Sequence, residues 1–390
     1  MKILQVVDDF PPKITGDGLH VYYISKELAK RGHDVTVFTM STPYRATSPS
    51  NKIDYRHQVI DNVKVYYFQS LFRISYFSFS YYMCRALLER NFDLIHVHRY
   101  FSLQSPAVTA IARFKRKPIV FTPHSTTIRE KKDLPLTLLR KIFDATLGHC
   151  LLQWPALIIA LTNENVKDFL KQGVKIDKIK MIPNGIDIEK FRNLPEPSKF
   201  KERFRVKGKI VLFVGRLVKY KGVQYILHAA PKILNEHPEA KFVIVGPDYG
   251  YGVQLYEMAK QLGIRKSVIF TGLISESELL EAYAAADVFA FPSIHEGFGL
   301  VLLEAMACEK PVVTWKTSAM QYIVENGKTG FLVNPFNVDD FANSICLLLS
   351  DDKLSKKIGK EARKIVEKKF QWKSTVDMLE NVYKEVVATC

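Results

Sequence analysis

Apolar residues in this chain fall into two alternating patterns. Short unbroken runs alternate with longer stretches in which apolar positions recur every three or four residues. The runs predict strands buried on both faces, and the periodic stretches predict helices with one apolar stripe. Strands are expected at 3–7, 35–39, 93–97, 118–122, 157–161 and 179–182, and a helix from Gly18 to Arg31 is stopped by Gly32. A polar, proline-bearing stretch at 192–199 interrupts the rhythm. It restarts with strands at 210–214, 241–245, 268–271, 288–291 and 312–313 and closes on an amphipathic helix after Trp372. An alternation that stops and restarts predicts an α/β protein with two doubly wound parallel-sheet, Rossmann-like domains facing a central cleft. Ligands of such sheets bind at the C-terminal ends of the strands.

At 390 residues the chain exceeds one ordinary core, which agrees with two domains. Its start, Met1-Lys-Ile-Leu-Gln-Val-Val-Asp8, reaches an acid too soon for a secretory leader and reads as the first strand. No stretch approaches the 18 uncharged apolar residues of a membrane span. The five cysteines, at 84, 150, 308, 346 and 390, lack metal-ligand spacing and favour packing roles in a reducing cytoplasm. The net charge of +16 is uneven. Residues 1–188 carry 27 Lys and Arg against 16 Asp and Glu, and residues 189–390 carry 29 against 24. The N-terminal half therefore favours an anionic partner or surface. The basic residues are dispersed and form no nucleic-acid-reading motif, so no nucleic-acid partner is expected. Val21 breaks the G-x-G-x-x-G spacing, which weighs against a dinucleotide oxidoreductase.

Candidate chemistry gathers at predicted strand ends. Glu296-Gly-Phe-Gly-Leu-Val-Leu-Leu-Glu304 sets one carboxylate in a loop and a second about two turns along a helix, with Gly297 and Gly299 freeing the backbone between them. Such a pair suits a polyhydroxylated ligand. Gly215-Arg-Leu-Val-Lys-Tyr-Lys-Gly222 brings Arg216 and Lys221 beside a helix N-terminus, an arrangement suited to a diphosphate whose charge grows as it departs. Gly16 and Gly18, in Thr15-Gly-Asp-Gly18, allow a phosphate to approach the first helix, while Asp17 either caps that helix or binds an acceptor hydroxyl. His124 follows a strand and can donate to a sugar hydroxyl or to a developing charge. Asp8-Asp9 reads as a loop and Asp351-Asp352 as a helix cap, so neither pair is expected to bind metal.

Together these motifs resemble the family-4 retaining glycosyltransferases, which have the GT-B fold. The resemblance spans nearly the whole chain. It rests on Gly16 with Arg31-Gly-His-Asp-Val35, His124, Asn184-Gly-Ile-Asp187, Gly215 to Gly222, Glu296 to Glu304, and Phe370-Gln-Trp372. It departs at Thr15-Gly16, where many relatives have Gly-Gly. The resemblance implies an N-terminal acceptor-binding domain, 1–188 with about 373–390 crossing back, and a nucleotide-sugar-binding domain, 189–372. It implies that Arg216 and Lys221 take the diphosphate and Glu296 the sugar hydroxyls, with Gly215 and Gly297 in the same loops. Backbone amides of Phe298, Gly299 and Leu300 assist, Glu304 takes the ribose, and the Gly272 region approaches the base. Gly16 closes on the phosphate, and His124 lies beside the sugar.

The implied activity moves a hexose or N-acetylhexosamine from a UDP- or GDP-sugar to an acceptor hydroxyl with retention, without a metal or other cofactor. A sugar-nucleotide epimerase of the same fold is the rival reading. Basic segments at 113–117 and 129–132, the leucine-rich 134–143 and the aromatic 76–82 suggest docking on anionic lipid and a lipid-linked acceptor, at the inner face of the cell membrane. The alternative is a soluble acceptor, with the apolar residues in the core.

Overall fold

Each apolar run marked above as a strand is a strand in the computed structural model, which describes residues 1–12, 15–40, 55–74, 77–124 and 134–389. The chain divides into two units: Met1–Asn184 with Trp372–Cys390, and Gly185–Gln371. The first unit thus ends at Asn184 and resumes at Trp372, and the proline-bearing stretch 192–199 lies inside the second unit.

The first unit contains β1 (Lys2–Val6), α1 (Gly16–Lys30), β2 (Asp34–Met40), β3 (Tyr55–Ile60), β4 (Val63–Phe68), β5 (Phe72–Ile74), β6 (Phe77–Phe79), α2 (Tyr81–Glu89), β7 (Leu94–His98), α3 (Gln104–Phe114), β8 (Ile119–Thr122), α4 (Leu134–Phe143), α5 (His149–Gln153), β9 (Leu157–Ala160), α6 (Asn163–Lys171) and β10 (Ile179–Met181). Its main sheet has the order β10-β9-β8-β7-β1-β2-β4-β3, and β5 pairs with β6 separately. All neighbours in the main sheet are parallel except β3, which folds back on β4 through Asp61-Asn62, both at positive φ. Strand alternation sends Leu4 and Val6 to one hydrophobic layer and Ile3 and Val7 to the other.

The second unit contains α7 (Pro197–Arg203), β11 (Ile210–Val214), α8 (Val223–Glu236), β12 (Lys241–Val245), α9 (Gly252–Gln261), β13 (Val268–Gly272), α10 (Glu276–Ala285), β14 (Val288–Phe291), α11 (Leu300–Ala307), β15 (Val312–Trp315), α12 (Ser318–Ile323), β16 (Gly330–Val333), α13 (Val338–Ser350) and α14 (Asp352–Lys369). Its sheet is parallel throughout, in the order β13-β12-β11-β14-β15-β16. The last helix, α15 (Trp372–Ala388), belongs to the first unit. There Val376, Leu379 and Tyr383 join Val21, Ile24 and Leu28 of α1 in one core, and Trp372 stacks on Tyr23 with ring centroids 5.2 Å apart.

Among the parallel strands, strand order reverses direction once in each sheet. In the first unit it does so between β1 and β7, and in the second between β11 and β14. Loops leaving two such neighbours diverge, and this is where open α/β sheets hold ligands.

Candidate active site

The second unit's reversal point carries the Arg/Lys loop on one side and the Glu-Gly-Phe-Gly loop on the other. Helices α8 and α11 start directly after these loops. Each begins at a glycine in the left-handed region, Gly222 at φ 83° and Gly299 at φ 98°, and neither has a side-chain cap. A glycine cap supplies no side-chain acceptor to the first-turn amides at either helix end, a setting that favours anions. Glycine is required at 222 for a second reason: a Cβ there would run into the Pro292 carbonyl. The Tyr220 carbonyl ties the loops together by accepting from Ile294 N–H at 2.9 Å and Ser293 Oγ at 3.3 Å.

Between these loops Lys221 Nζ donates to Glu296 Oε1 in an ion pair whose side chains are 13% and 11% exposed. The Lys221 ammonium also lies 5.5 Å from the centre of the Phe291 ring. Arg216 Nη2 donates to the Tyr220 hydroxyl at 2.8 Å, and its guanidinium sits 5.5 Å from the Tyr249 ring centre. On α11, Glu304 Oε2 accepts from the Tyr283 hydroxyl at 2.7 Å. Burial pushes the Glu304 carboxyl above its ordinary range, and the Tyr283 hydrogen bond offsets part of that rise. Phe298 is buried. Gly272 ends β13 at φ 69°, and the next residue, Leu273, is 79% exposed.

Comparison with known proteins decides what this framework is. A family model described as glycosyltransferase family 4 matches residues 14–190, and one described as glycosyl transferases group 1 matches residues 196–365. An uncharacterized glycosyltransferase of Methanocaldococcus jannaschii is 31% identical, with 98% of each chain covered. The chain belongs to the family-4 GT-B glycosyltransferases. A D-inositol 3-phosphate glycosyltransferase of Corynebacterium efficiens is 30% identical over 94% of this chain and 90% of its own. Anabaena HepE, solved in complex with UDP, superposes with a TM-score of 0.80 at 23% identity, covering 99% of this chain and 100% of its own.

In this glycosyltransferase the second unit brings Gly215, Arg216, Lys221, Glu296, Gly297, Phe298 and Gly299 to adjoining loops, with Leu300 opening α11. Glu304 lies farther along α11, while Gly272 sits at the edge strand β13. Three aromatic partners escaped the sequence reading: Tyr220 and Tyr249, which flank Arg216, and Tyr283, which holds Glu304. Tyr220 lies inside the Arg/Lys motif itself and was the legible one.

The first unit's reversal point looks different. Helix α1 starts at Gly16, two residues earlier than expected, with Thr15 as its cap. The Gly18 amide donates to Thr15 Oγ1 at 3.2 Å and to Asp17 Oδ1 at 3.1 Å, and a Cβ at 18 would press on the Asp9 carbonyl. Gly18 thus serves the cap and close packing, whereas among the described residues nothing beyond the local backbone lies within 4 Å of a Cβ built at Gly16. Asp17 is paired, too. Arg99 donates from Nε to Asp17 Oδ2 at 2.8 Å, from Nη1 to Asp8 at 3.2 Å and from Nη2 to Asp9 at 3.1 Å. Burial alone would raise Asp17, but the Arg99 guanidinium overrides it and holds the carboxyl well below its usual range. Nothing near Arg99 in sequence announces this role, because its partners lie some 80 to 90 positions away.

His124 stands at φ 60° after β8, at the end of a buried chain of hydrogen bonds. His96 Nε2 meets Thr122 Oγ1 at 2.8 Å, and His96 Nδ1 meets the Tyr383 hydroxyl at 2.6 Å. That hydroxyl accepts from Gln5 Nε2 at 3.0 Å. Gln5 Oε1 accepts from His98 Nε2 at 2.8 Å, which leaves His98 Nδ1 facing His124 Nε2 at 3.2 Å. Burial drives His124 down to about 4 and His20 to about 3, so both rings are neutral near pH 7.

Proposed function

We propose that this glycosyltransferase moves a hexose or N-acetylhexosamine from a UDP- or GDP-sugar to an acceptor hydroxyl with retention of anomeric configuration. The observation that carries the reading is the Lys221–Glu296 pair at the β11/β14 reversal, set between two helix ends without side-chain caps. Glu296 accepts from sugar hydroxyls, and Lys221 exchanges it for the diphosphate when donor binds. Arg216, steadied by Tyr220, takes the second share of phosphate charge, with amides at Phe298, Gly299 and Leu300. Glu304 takes the ribose hydroxyls and the Gly272 edge meets the base. At the first unit's own reversal point, Gly16 is a candidate phosphate position and His124 a candidate donor to a sugar hydroxyl.

With Glu296 committed to hydroxyls, no side chain is assigned as nucleophile. The anomeric C–O bond breaks toward the β-phosphate, whose oxygen takes the proton from the acceptor hydroxyl as the new C–O bond forms on the same face. Arg216 and Lys221 offset the growing charge, and losing either costs about 2–4 kcal/mol of transition-state stabilisation by analogy with a lost oxyanion donor. Two cations and two helix ends make a divalent metal unnecessary. Exposed Phe114, Leu138 and Ile142, near Arg116, Lys117 and Lys141 in sequence, support a lipid-linked acceptor at an anionic membrane surface.

A thermal-shift screen of UDP- and GDP-sugars, followed by product analysis by NMR in excess EDTA, tests this reading. A glycoside with the donor's anomeric configuration is expected. An epimerised free sugar from donor alone, an inverted product or a strict magnesium requirement would contradict it.

A further inference from the structure

Three imidazoles of the first unit, His20, His98 and His124, can each offer one ring nitrogen, and the three nitrogens lie within 4.8 Å of one another. They come from three elements: His20 from α1, His98 from the end of β7, and His124 from the loop after β8. Two rings have their other nitrogen already fixed. His20 Nδ1 donates to Asn184 Oδ1 at 2.7 Å, and His98 Nε2 donates to Gln5 Oε1 at 2.8 Å. These bonds fix the tautomers, leaving lone pairs on His20 Nε2 and His98 Nδ1. Among the described residues, His20 Nε2 is buried without a hydrogen-bond partner, an acceptor left open at a cost. Imidazoles whose far nitrogens donate to carbonyl oxygens are the arrangement that orients metal-binding histidines. The carboxylates of Asp8, Asp9 and Asp17 outnumber Arg99 nearby, and Asp17 and Arg99 both interact electrostatically with His124.

We propose that His20 Nε2, His98 Nδ1 and His124 Nε2 form a binding site for a borderline divalent transition-metal ion, of which Zn²⁺ is the best match. Three neutral nitrogens with water in the fourth position satisfy its tetrahedral preference. Binding replaces the His124–His98 hydrogen bond. The proton on His124 Nε2 is lost to solvent and Nδ1 takes one up, so the ring turns from its relay to the metal. The site itself needs nothing from the proposed reaction. Its consequence rests on that reading: a metal-bound His124 cannot donate to a sugar hydroxyl, so the ion inhibits transfer and EDTA restores it.

The test uses the full-length protein titrated with Zn²⁺ by calorimetry and with Co²⁺ by visible absorption. A Cys346→Ser, His237→Gln background removes the second His/Cys/Glu grouping, formed with Glu236 on the other unit. Expected are one site per chain and tetrahedral Co²⁺ bands without thiolate charge transfer. Asn184→Ala should weaken Zn²⁺ roughly 10- to 100-fold while keeping all three rings. His20→Gln should abolish the site, with a circular-dichroism melt checking that it folds. If that variant does not fold, the Co²⁺ spectrum of the background protein still decides. Aquo-like Co²⁺ spectra, or equal affinity after Asn184→Ala, would overturn the proposal. Tight binding without inhibition would keep the metal site and refute the role given to His124 in transfer.

Discussion

Lys221 and Glu296 show how far single residues could be read. Their types and spacing indicated a phosphate cation and a hydroxyl acceptor, but not that they pair with each other, because 75 positions separate them. Glu304 shows the same limit: its position on a helix was legible, while its Tyr283 partner on α10 was not. That partner makes a prediction. In the proposed role the Glu304 carboxylate takes the ribose, and burial has raised its pKa, so nucleotide affinity should climb as pH rises through that elevated value. Tyr283 donates to the charged form and lowers the pKa. Tyr283→Phe should therefore move the rise in UDP or GDP affinity to higher pH, as calorimetry across a pH series would show. An unmoved profile would detach Glu304 from nucleotide binding.

At the scale of elements, strands buried on both faces were readable because their apolar runs are continuous. The β3–β4 hairpin was not, since edge strand β3, Tyr-Arg-His-Gln-Val-Ile, carries polar side chains. The start of α1 is less legible, because Thr15-Gly-Asp-Gly18, a threonine cap with two glycines behind it, reads as loop. Two glycines now separate strain from collision. Gly32 and Gly222 have φ of 84° and 83°, but only Gly222 has a backbone carbonyl where a Cβ would go. Gly32→Ala should cost about 1 kcal/mol of left-handed strain, at the low end of about 1–3 kcal/mol for such residues. Gly222→Ala should cost clearly more and weaken donor binding, as chemical denaturation and calorimetry would register. Equal costs would contradict the packing against Pro292. The histidines of the first unit make a second prediction. Folded His124 titrates near 4 against an ordinary 6.5, and His20, His96 and His98 are also depressed, by burial first. Between those values the unfolded chain binds more protons, so stability present above pH 6.5 is lost as pH falls toward 4. In a Trp315→Phe variant, where Trp154 and Trp372 of the first unit report, the fluorescence melting temperature should fall steadily over that window. A flat response would mean the rings are charged or exposed.

Over the whole molecule, two units and their parallel sheets were legible, but the use made of the positive charge was not. Lys115 caps α2 by donating to the carbonyls of Leu87, Leu88 and Arg90, and Arg140 is turned inward beside the rings of Tyr100 and Phe101. Neither is available to lipid. Arg129, Lys131, Lys132 and Tyr76 lie outside the described residues. Among those described, no helix is long and apolar enough to cross a membrane. The membrane proposal therefore narrows to Phe114, Arg116, Lys117, Leu138, Lys141 and Ile142. Sedimentation with anionic vesicles at low salt should capture the wild type, and Phe114, Arg116 and Lys117 changed together to Ser should lose most of it. Binding unaffected by that triple change, or no binding at all, would point to a soluble acceptor.

The proposed donor recognition is divided along one loop and helix of the second unit, nucleotide at Glu304 and sugar at Glu296. Calorimetry with UDP and GDP on Glu304→Gln and Glu296→Gln, paired with transfer rates, measures that division. Glu304→Gln is expected to lose affinity for the bare nucleotide, while Glu296→Gln keeps it nearly intact and loses transfer. Equal loss of nucleotide affinity in both variants would contradict it.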